Sequence, residues 1–366
     1  MDADSLPDHF FASVVREEVW AIDNESYRLL EERRESGFAV CRSRDGIPHL
    51  VAGDHLPVLD PESHRLIGVD PAELLRMLED TVGLDEAALL KILERFAASA
   101  PLRARVIRRA RYVSNGRIDD AQSTTCLVVT STGPGFRRSI VCTEDRIEAH
   151  LHLFANQTPD PPSAVSDLRN LPILWSGGSA SILFHEALGH PAERGLMPAG
   201  LPTWLRVSDR PSGAALGSMA FDDCGVASSE RDLSSGERPG CFRRESFRSV
   251  PLRRMSNLHA EIIADSNPIE LPDQFIAVRL IGEGGYDPLH DRIRLSVTLA
   301  ELVEGERSTP IAPFEIGGSR EQVLRSIIAG EGPPITYPGV LCAEDGQRIP
   351  VGSEAPLLLS KPWAIP

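Results

Sequence analysis

Two histidines and a glutamate give the first chemical signal in the chain. The stretch Ser179-Ala180-Ser181-Ile182-Leu183-Phe184-His185-Glu186-Ala187-Leu188-Gly189-His190-Pro191 contains H-E-x-x-x-H. Imidazoles suit zinc, and a carboxylate beside one of them can accept a proton. In the commoner H-E-x-x-H, two histidines four apart share one helix face. Five apart on a regular helix, they point roughly 140° away from each other. Both reach one metal only if the helix ends between them. Gly189 can take the left-handed conformation that closes a helix, and Pro191 disfavours helical geometry at His190. The expectation is a helix over 179–188, with His185 in its last turn and His190 swinging back from the turn beyond.

A catalytic zinc usually has three protein ligands and one open position for water. Glu193, His259, His290 and Cys342 are the available third ligands. Cys342 follows the apolar run Gly339-Val340-Leu341 and precedes a turn at Asp345-Gly346, a good place to present a thiolate. Spacing alone does not choose among the four. Without a metal, the same stretch reads as a capped core helix with two satisfied histidines, and Cys342 as a buried thiol.

Four stretches together resemble the TldD/PmbA family of metallopeptidases. His185 to Glu193 is similar to its H-E-A-x-G-H followed by a glutamate. Arg243-Arg244-Glu245-Ser246-Phe247 and Pro251-Leu252-Arg253-Arg254-Met255-Ser256-Asn257 resemble R-R-E-S-aromatic and P-x-P-R-M-T-N. Gly282 to Val297, followed by Glu301 to Glu306, resembles a Gly-rich strand pair. Cys342 to Gly352 resembles C-G-K-x-G-Q-x-x-P-V-G. The four occur in order and cover most of residues 172–360. The resemblance implies that His185, His190 and Cys342 bind zinc and that Glu186 is the catalytic base. Glu193 would orient a histidine as a carboxylate behind the ligands. Arg243 or Arg244 would hold an oxyanion or a substrate carboxylate, against a structural ion pair with Glu245 or Asp222. The chain departs from the family in a short N-terminal half, a reduced loop between His190 and Asp222, and Ala343-Glu344 where Gly-Lys is usual.

The elements that must position these groups read as α+β. Residues 8–34, with Phe11, Val14, Val15, Val19, Leu29 and Leu30 at mixed helical spacing, are expected to be helical. Phe38–Cys41 and His49–Val51 flank Asp45-Gly46, a hairpin signal. Asp70-Pro71-Ala72-Glu73 starts a helix, and a second is expected from about Asp85 to Ser99. Strands follow: Val106 to Tyr112 before Asn115-Gly116, Cys126 to Thr130, and Ser139 onward to about Phe154 after Gly133-Pro134-Gly135. The linker is expected at 156–163, rich in Pro and Asp. It divides a 1–156 domain of helices plus antiparallel sheet from a 157–366 β-rich domain that carries the zinc-binding helix. A further helix is expected over 320–328.

Composition sets the outer limits. The chain has 366 residues, 42% hydrophobic and 25% charged, ordinary for a globular protein with its own cores. A net charge of −15 repels phosphate backbones, so no nucleic-acid partner is expected. The arginines within 103–111 and 243–254 lack the interleaved aromatics of a base-stacking platform. Lys91 and Lys361 are the only lysines, as expected of a GC-rich bacterial genome. Six cysteines without close pairing fit free thiols of a cytoplasmic protein. No apolar run approaches a membrane span, and the acidic start, Met1-Asp2-Ala3-Asp4, is not that of a signal peptide.

These readings converge on a cytoplasmic zinc peptidase that hydrolyses unfolded peptides or trims a peptide precursor. The resemblance implies a dimer, as a homodimer or with a metal-free homologous subunit. Two other functions stay open: a biosynthetic enzyme acting on a small peptide-like metabolite, and a non-catalytic partner that retains zinc for structure.

Overall fold

Short clusters of β-branched and aromatic residues, such as Val128-Val129-Thr130 and Phe275-Ile276-Ala277-Val278, recur in both halves of the chain, and such residues favour pleated, packed surfaces. The computed structural model describes residues 8–22, 26–44, 47–53, 71–81, 90–91, 93–94, 102–133, 136–143, 146–150, 168, 170–198, 200–212 and 215–363. Among these the chain is mostly strand, with few and short helices.

The N-terminal half differs from the sequence reading at its start. The described residues of 8–34 form no helix. They lie in β1 (His9–Ile22) and β2 (Tyr27–Arg44), paired antiparallel. The physical reason is burial on both faces: His9 through Val14 are all buried, so the run has no two-residue alternation to betray a strand. Pairing with β4 along its whole length then overrides local helical preference. The hairpin expectation holds in its strands, because β2 pairs with β3 (Ile47–Gly53) through Cys41↔Leu50. Its Asp45-Gly46 turn lies outside the described residues.

Helix α1 (Pro71–Thr81) forms where Pro71 starts it. Of the second expected helix only Leu90, Lys91, Leu93 and Glu94 are described, and they are helical. β4 (Leu102–Ser114) and β5 (Asp119–Gly133) follow, joined by the Asn115-Gly116 turn. β6 (Phe136–Cys142) ends at Cys142, and residues 147–150 are helical, so the strand does not run on toward Phe154. The linker and the 156/157 boundary lie outside the described residues.

The C-terminal half contains β7 (Ile173–Trp175), β8 (Leu205–Asp209), β9 (Arg231–Asp232), β10 (Cys241–Arg243), β11 (Leu252–Arg254) and β12 (Asn257–Ile262). β13 (Gln274–Asp287), β14 (Arg292–Glu304), β15 (Arg307–Ile311), β16 (Phe314–Ser319), β17 (Ile327–Glu344) and β18 (Gln347–Ser360) complete it. Sixteen of the described strands form one sheet, ordered β15-β14-β13-β7-β18-β17-β6-β5-β4-β1-β2-β3 along its main path. The two halves meet where Gly339 of β17 pairs with Val141 of β6. β10 and β11 form a separate ribbon.

One buried helical segment is central to the core. Its pieces are α2 (Ala180–Phe184), a π-helical turn (His185–Gly189) and α3 (His190–Glu193), each buried throughout. A helix apolar around its circumference belongs inside a core. Ile182, Leu183, Phe184 and Leu188 pack with Trp175, Val278, Leu295 and Leu358. Its start is fixed by Gly177 (φ +59°) and Gly178 (φ +83°), which turn the chain out of β7. The Ser176 and Ser179 hydroxyls then donate to the Val278 carbonyl at 2.9 and 3.0 Å. Helix α4 (Arg320–Arg325) forms where a helix over 320–328 is expected, with Ser319 and Gln322 as a capping box.

Candidate metal centre

The helix does not end between the histidines. Gly189 has φ −61° and ψ −62°, and His190 has φ −59° and ψ −43°, both right-handed. The five-residue spacing is absorbed by the π turn, in which the His190 N–H donates to the His185 carbonyl. A π turn brings residues i and i+5 onto one face, and such turns concentrate at functional sites. Pro191 has no N–H to lose at the change of register. Gly189 serves close approach: a Cβ there would lie 1.9 Å from Met255 Sδ.

The two imidazoles therefore stand together, with ring centroids 4.8 Å apart and planes at 87°. Cys342 reaches them from β17. It pairs with Ile349 in a hairpin closed by Asp345 (φ +49°) and Gly346 (φ +76°), the left-handed pair that a two-residue I′ turn demands. Its Sγ lies 3.3 Å from His185 Nε2 and 3.5 Å from His190 Nε2. All three donors are buried, and their ligand atoms lie within 4.8 Å of one another.

The two S···N spacings fit zinc. For Zn–S and Zn–N bonds of usual length in a tetrahedron, an S···N edge is about 3.5 Å. A thiolate with two imidazoles is also a suitable zinc donor set. Glu193 accepts from His190 Nδ1 at 3.0 Å, which leaves Nε2 facing Cys342, the arrangement expected behind a ligating histidine. His185 Nδ1 is buried without a hydrogen-bond partner.

Glu186 borders the same space. Its Oε2 is 3.8 Å from His190 Nε2 and is buried without a hydrogen-bond partner. Burial pushes its carboxyl up to about 7, with His190 opposing and Glu344 and Glu193 adding to the rise. Burial lowers His185. For His190 burial also works against the charge, but Cys342, Glu193 and Glu186 around the ring outweigh it and raise the value.

Sequence reasoning missed two participants. Arg254 is buried and donates to Cys342 Sγ at 3.1 Å and to Glu193 Oε1 at 3.0 Å. Its signal lay in the Pro251–Asn257 segment, read only as a family mark. Gly284 of β13 makes room for Glu186, since a Cβ there would lie 2.4 Å from Glu186 Oε1.

The remaining sequence-singled residues lie elsewhere. Arg243 Nη1 donates to the carbonyls of Met255 and Pro350 at 2.8 and 2.9 Å. Arg244 covers the Phe11 ring at 4.5 Å and bonds His9. Its backbone N–H donates to Asp223, the neighbour of the expected Asp222. His259 pairs with Glu354 and Glu261, and His290 with Asp287. A cleft of about 1010 Å³ is lined by Arg109, Arg111, Arg243, Leu341, Ala343 and Glu344 among others. Leu341 and Ala343 face it, so Cys342 between them points to the other side of β17. Glu344 borders both spaces, with Oε2 4.0 Å from His190 Nδ1.

The fold resembles that of solved TldE and related structures. Across 99% of this chain and 98% of the other, the fold matches TldE from Thermococcus kodakarensis with a TM-score of 0.61 at 12% identity. A protein from Thermotoga maritima, provisionally assigned as a modulator of a DNA gyrase, matches with a TM-score of 0.59 at 14% identity over 98% and 96% of the two chains. In sequence, a metalloprotease TldD homolog from Buchnera aphidicola is 24% identical over 221 residues, 50% of this chain. That match spans about half of the relative's length, 46%. No family model matches. The resemblance to TldD/PmbA proteins thus stands in the fold of nearly the whole chain and, at low identity, in the sequence of half of it. Among the described residues no helix is long and apolar enough to cross a membrane.

Proposed function

We propose that the chain is a zinc-dependent peptidase that hydrolyses unfolded peptides or trims a peptide precursor in the cytoplasm. One observation carries the reading. Three soft and borderline donors, His185, His190 and Cys342, converge to 3.3 and 3.5 Å although 157 residues of chain separate His185 from Cys342. Nothing in core packing requires a thiol between two imidazoles.

His185, His190 and Cys342 would hold the ion. When bound, zinc supplies Lewis acidity, polarising the scissile carbonyl and lowering the pKa of a water toward ~7. Glu186 does the proton work of the chain itself. Its Oε2 is buried without a hydrogen-bond partner beside His190, so it is placed to take a proton from water and return it to the leaving amine. Glu193 keeps the proton on His190 Nδ1 and holds the ring's direction. Gly284 leaves room for Glu186 itself, while Gly285, with nothing within 4 Å of a Cβ, lies on the opposite face of β13. Arg243 shares the cleft wall with Arg109 and Arg111, so it is one of several basic groups near a substrate carboxylate there.

The proposal includes a dimeric protein, formed with itself or with a metal-free homologous subunit. The test is cleavage of an unfolded peptide set by the purified zinc-loaded protein, alone and mixed with any co-purifying homologue. Cleavage that falls by at least ~10² in Glu186→Gln with zinc retained supports the reading. Equal cleavage by Glu186→Gln sinks it.

A further inference from the structure

We propose that Arg254 is a positioning residue of the metal centre: its guanidinium presets Cys342 and His190 for the ion and sets the affinity of the site. The proposal rests on the reading of His185, His190 and Cys342 as ligands. Arg254 ends β11 and is 1% exposed. Each of its three nitrogens has its own acceptor. Nε donates to Glu193 Oε1 at 3.0 Å, Nη2 to Cys342 Sγ at 3.1 Å, and Nη1 to the Glu344 carbonyl at 3.1 Å.

Glu193 passes the constraint on. Its Oε2 accepts from His190 Nδ1 at 3.0 Å, while Oε1 also accepts the Met255 N–H at 2.9 Å. One rigid cation thus holds the sulfur directly and one imidazole through a carboxylate. Through the Glu344 carbonyl it also fixes the strand two residues beyond Cys342, and with it the end of the β17–β18 hairpin. The three donors lie in one plane at fixed angles, which a flexible ammonium cannot reproduce.

Burying a guanidinium is costly unless it is well paired. A hairpin could be closed more cheaply by apolar packing, so stability alone is a weak reason for a charge here. Hydrogen-bond partners of metal ligands, by contrast, typically carry 10–100-fold in metal affinity.

The test is zinc affinity by chelator competition on the metal-free full-length protein. It is paired with cobalt(II) titration that reads the thiolate-to-cobalt charge-transfer absorption. Wild type, Arg254→Lys, Arg254→Gln, Glu193→Gln and the Arg254→Lys/Glu193→Gln pair are compared, and thermal unfolding of each metal-free protein accompanies them. The expected result is zinc binding weaker by about 10–100-fold in both Arg254 variants, with an altered cobalt band. Arg254→Lys keeps the charge and carries the test if Arg254→Gln does not fold. Adding Glu193→Gln to Arg254→Lys is expected to cost little more than the larger single effect, because both act on one clamp. Folded Arg254 variants with wild-type zinc affinity and cobalt spectrum, or fully additive losses, would overturn the proposal. A wild type that binds neither metal would overturn the ligand assignment beneath it.

Discussion

Gly284 and Glu186 are in such close approach that a methyl group on Gly284 would lie 2.4 Å from Glu186 Oε1 and 2.7 Å from its Cγ. The strand therefore limits where the carboxylate stands relative to His190. Gly284→Ala is expected to displace Glu186 while leaving His185, His190 and Cys342 in place. Misplacing a reacting group by about 1 Å can cost ~10² in rate. Peptide cleavage is expected to fall by about that factor, with zinc content unchanged by elemental analysis. Full activity in Gly284→Ala would show that Glu186 is not the base or is free to move.

Gly189 separates two accounts of the helix. If it closed a helix in the left-handed region, Asn would replace it at little cost, since Asn tolerates that conformation. The observed right-handed backbone and the 1.9 Å approach to Met255 Sδ make bulk the problem instead. Gly189→Ala is expected to destabilise by about 1–3 kcal/mol through overpacking, and Gly189→Asn by more. Denaturant unfolding checks the order; Asn better tolerated than Ala would restore the left-handed cap.

Asp223 ties stability to pH. Burial raises its carboxyl, but Arg111, Arg109 and the Arg244 N–H outweigh that and hold it below 3.8. A depressed folded value means that the contribution is complete above the unfolded value and fades as pH falls through the folded one. Arg111 Nη1 sits 2.6 Å from Asp223 Oδ1, both buried. Asp223→Asn is expected to cost about 3–5 kcal/mol near neutrality, the usual loss on breaking a buried pair. The gap from wild type should narrow as pH falls below the ordinary aspartate value of about 3.9. A gap that stays constant on acidification would contradict the assignment.

How far this could be read from residues alone depended on where the information lies. The H-E-x-x-x-H run was legible because ligand types at a fixed spacing are local, whereas Cys342 stood out from Glu193, His259 and His290 only through the resemblance. The C-terminal strands were legible because turns such as Asp345-Gly346 punctuate them. The π turn was not: periodicity assumes a constant 3.6 residues per turn, and what favours an inserted residue, close packing of Gly189 on Met255, is a tertiary fact. Arg254 was hidden for a similar reason, since nothing in its spacing tells that its fork meets a sulfur 88 residues away. β1 and β2 were misread as helix because burial on both faces at the start of β1 erased the strand's alternation, and because both strands are held by pairing, β1 with β2 and β4 and β2 with β3.

The most direct measurement is zinc per chain, by elemental analysis, in wild type, His185→Ala, Cys342→Ala and Glu186→Gln purified side by side. The account predicts about one zinc per chain in wild type and Glu186→Gln, and its loss in both ligand variants. Cys342→Ala that keeps the wild-type zinc content would contradict the account at its centre.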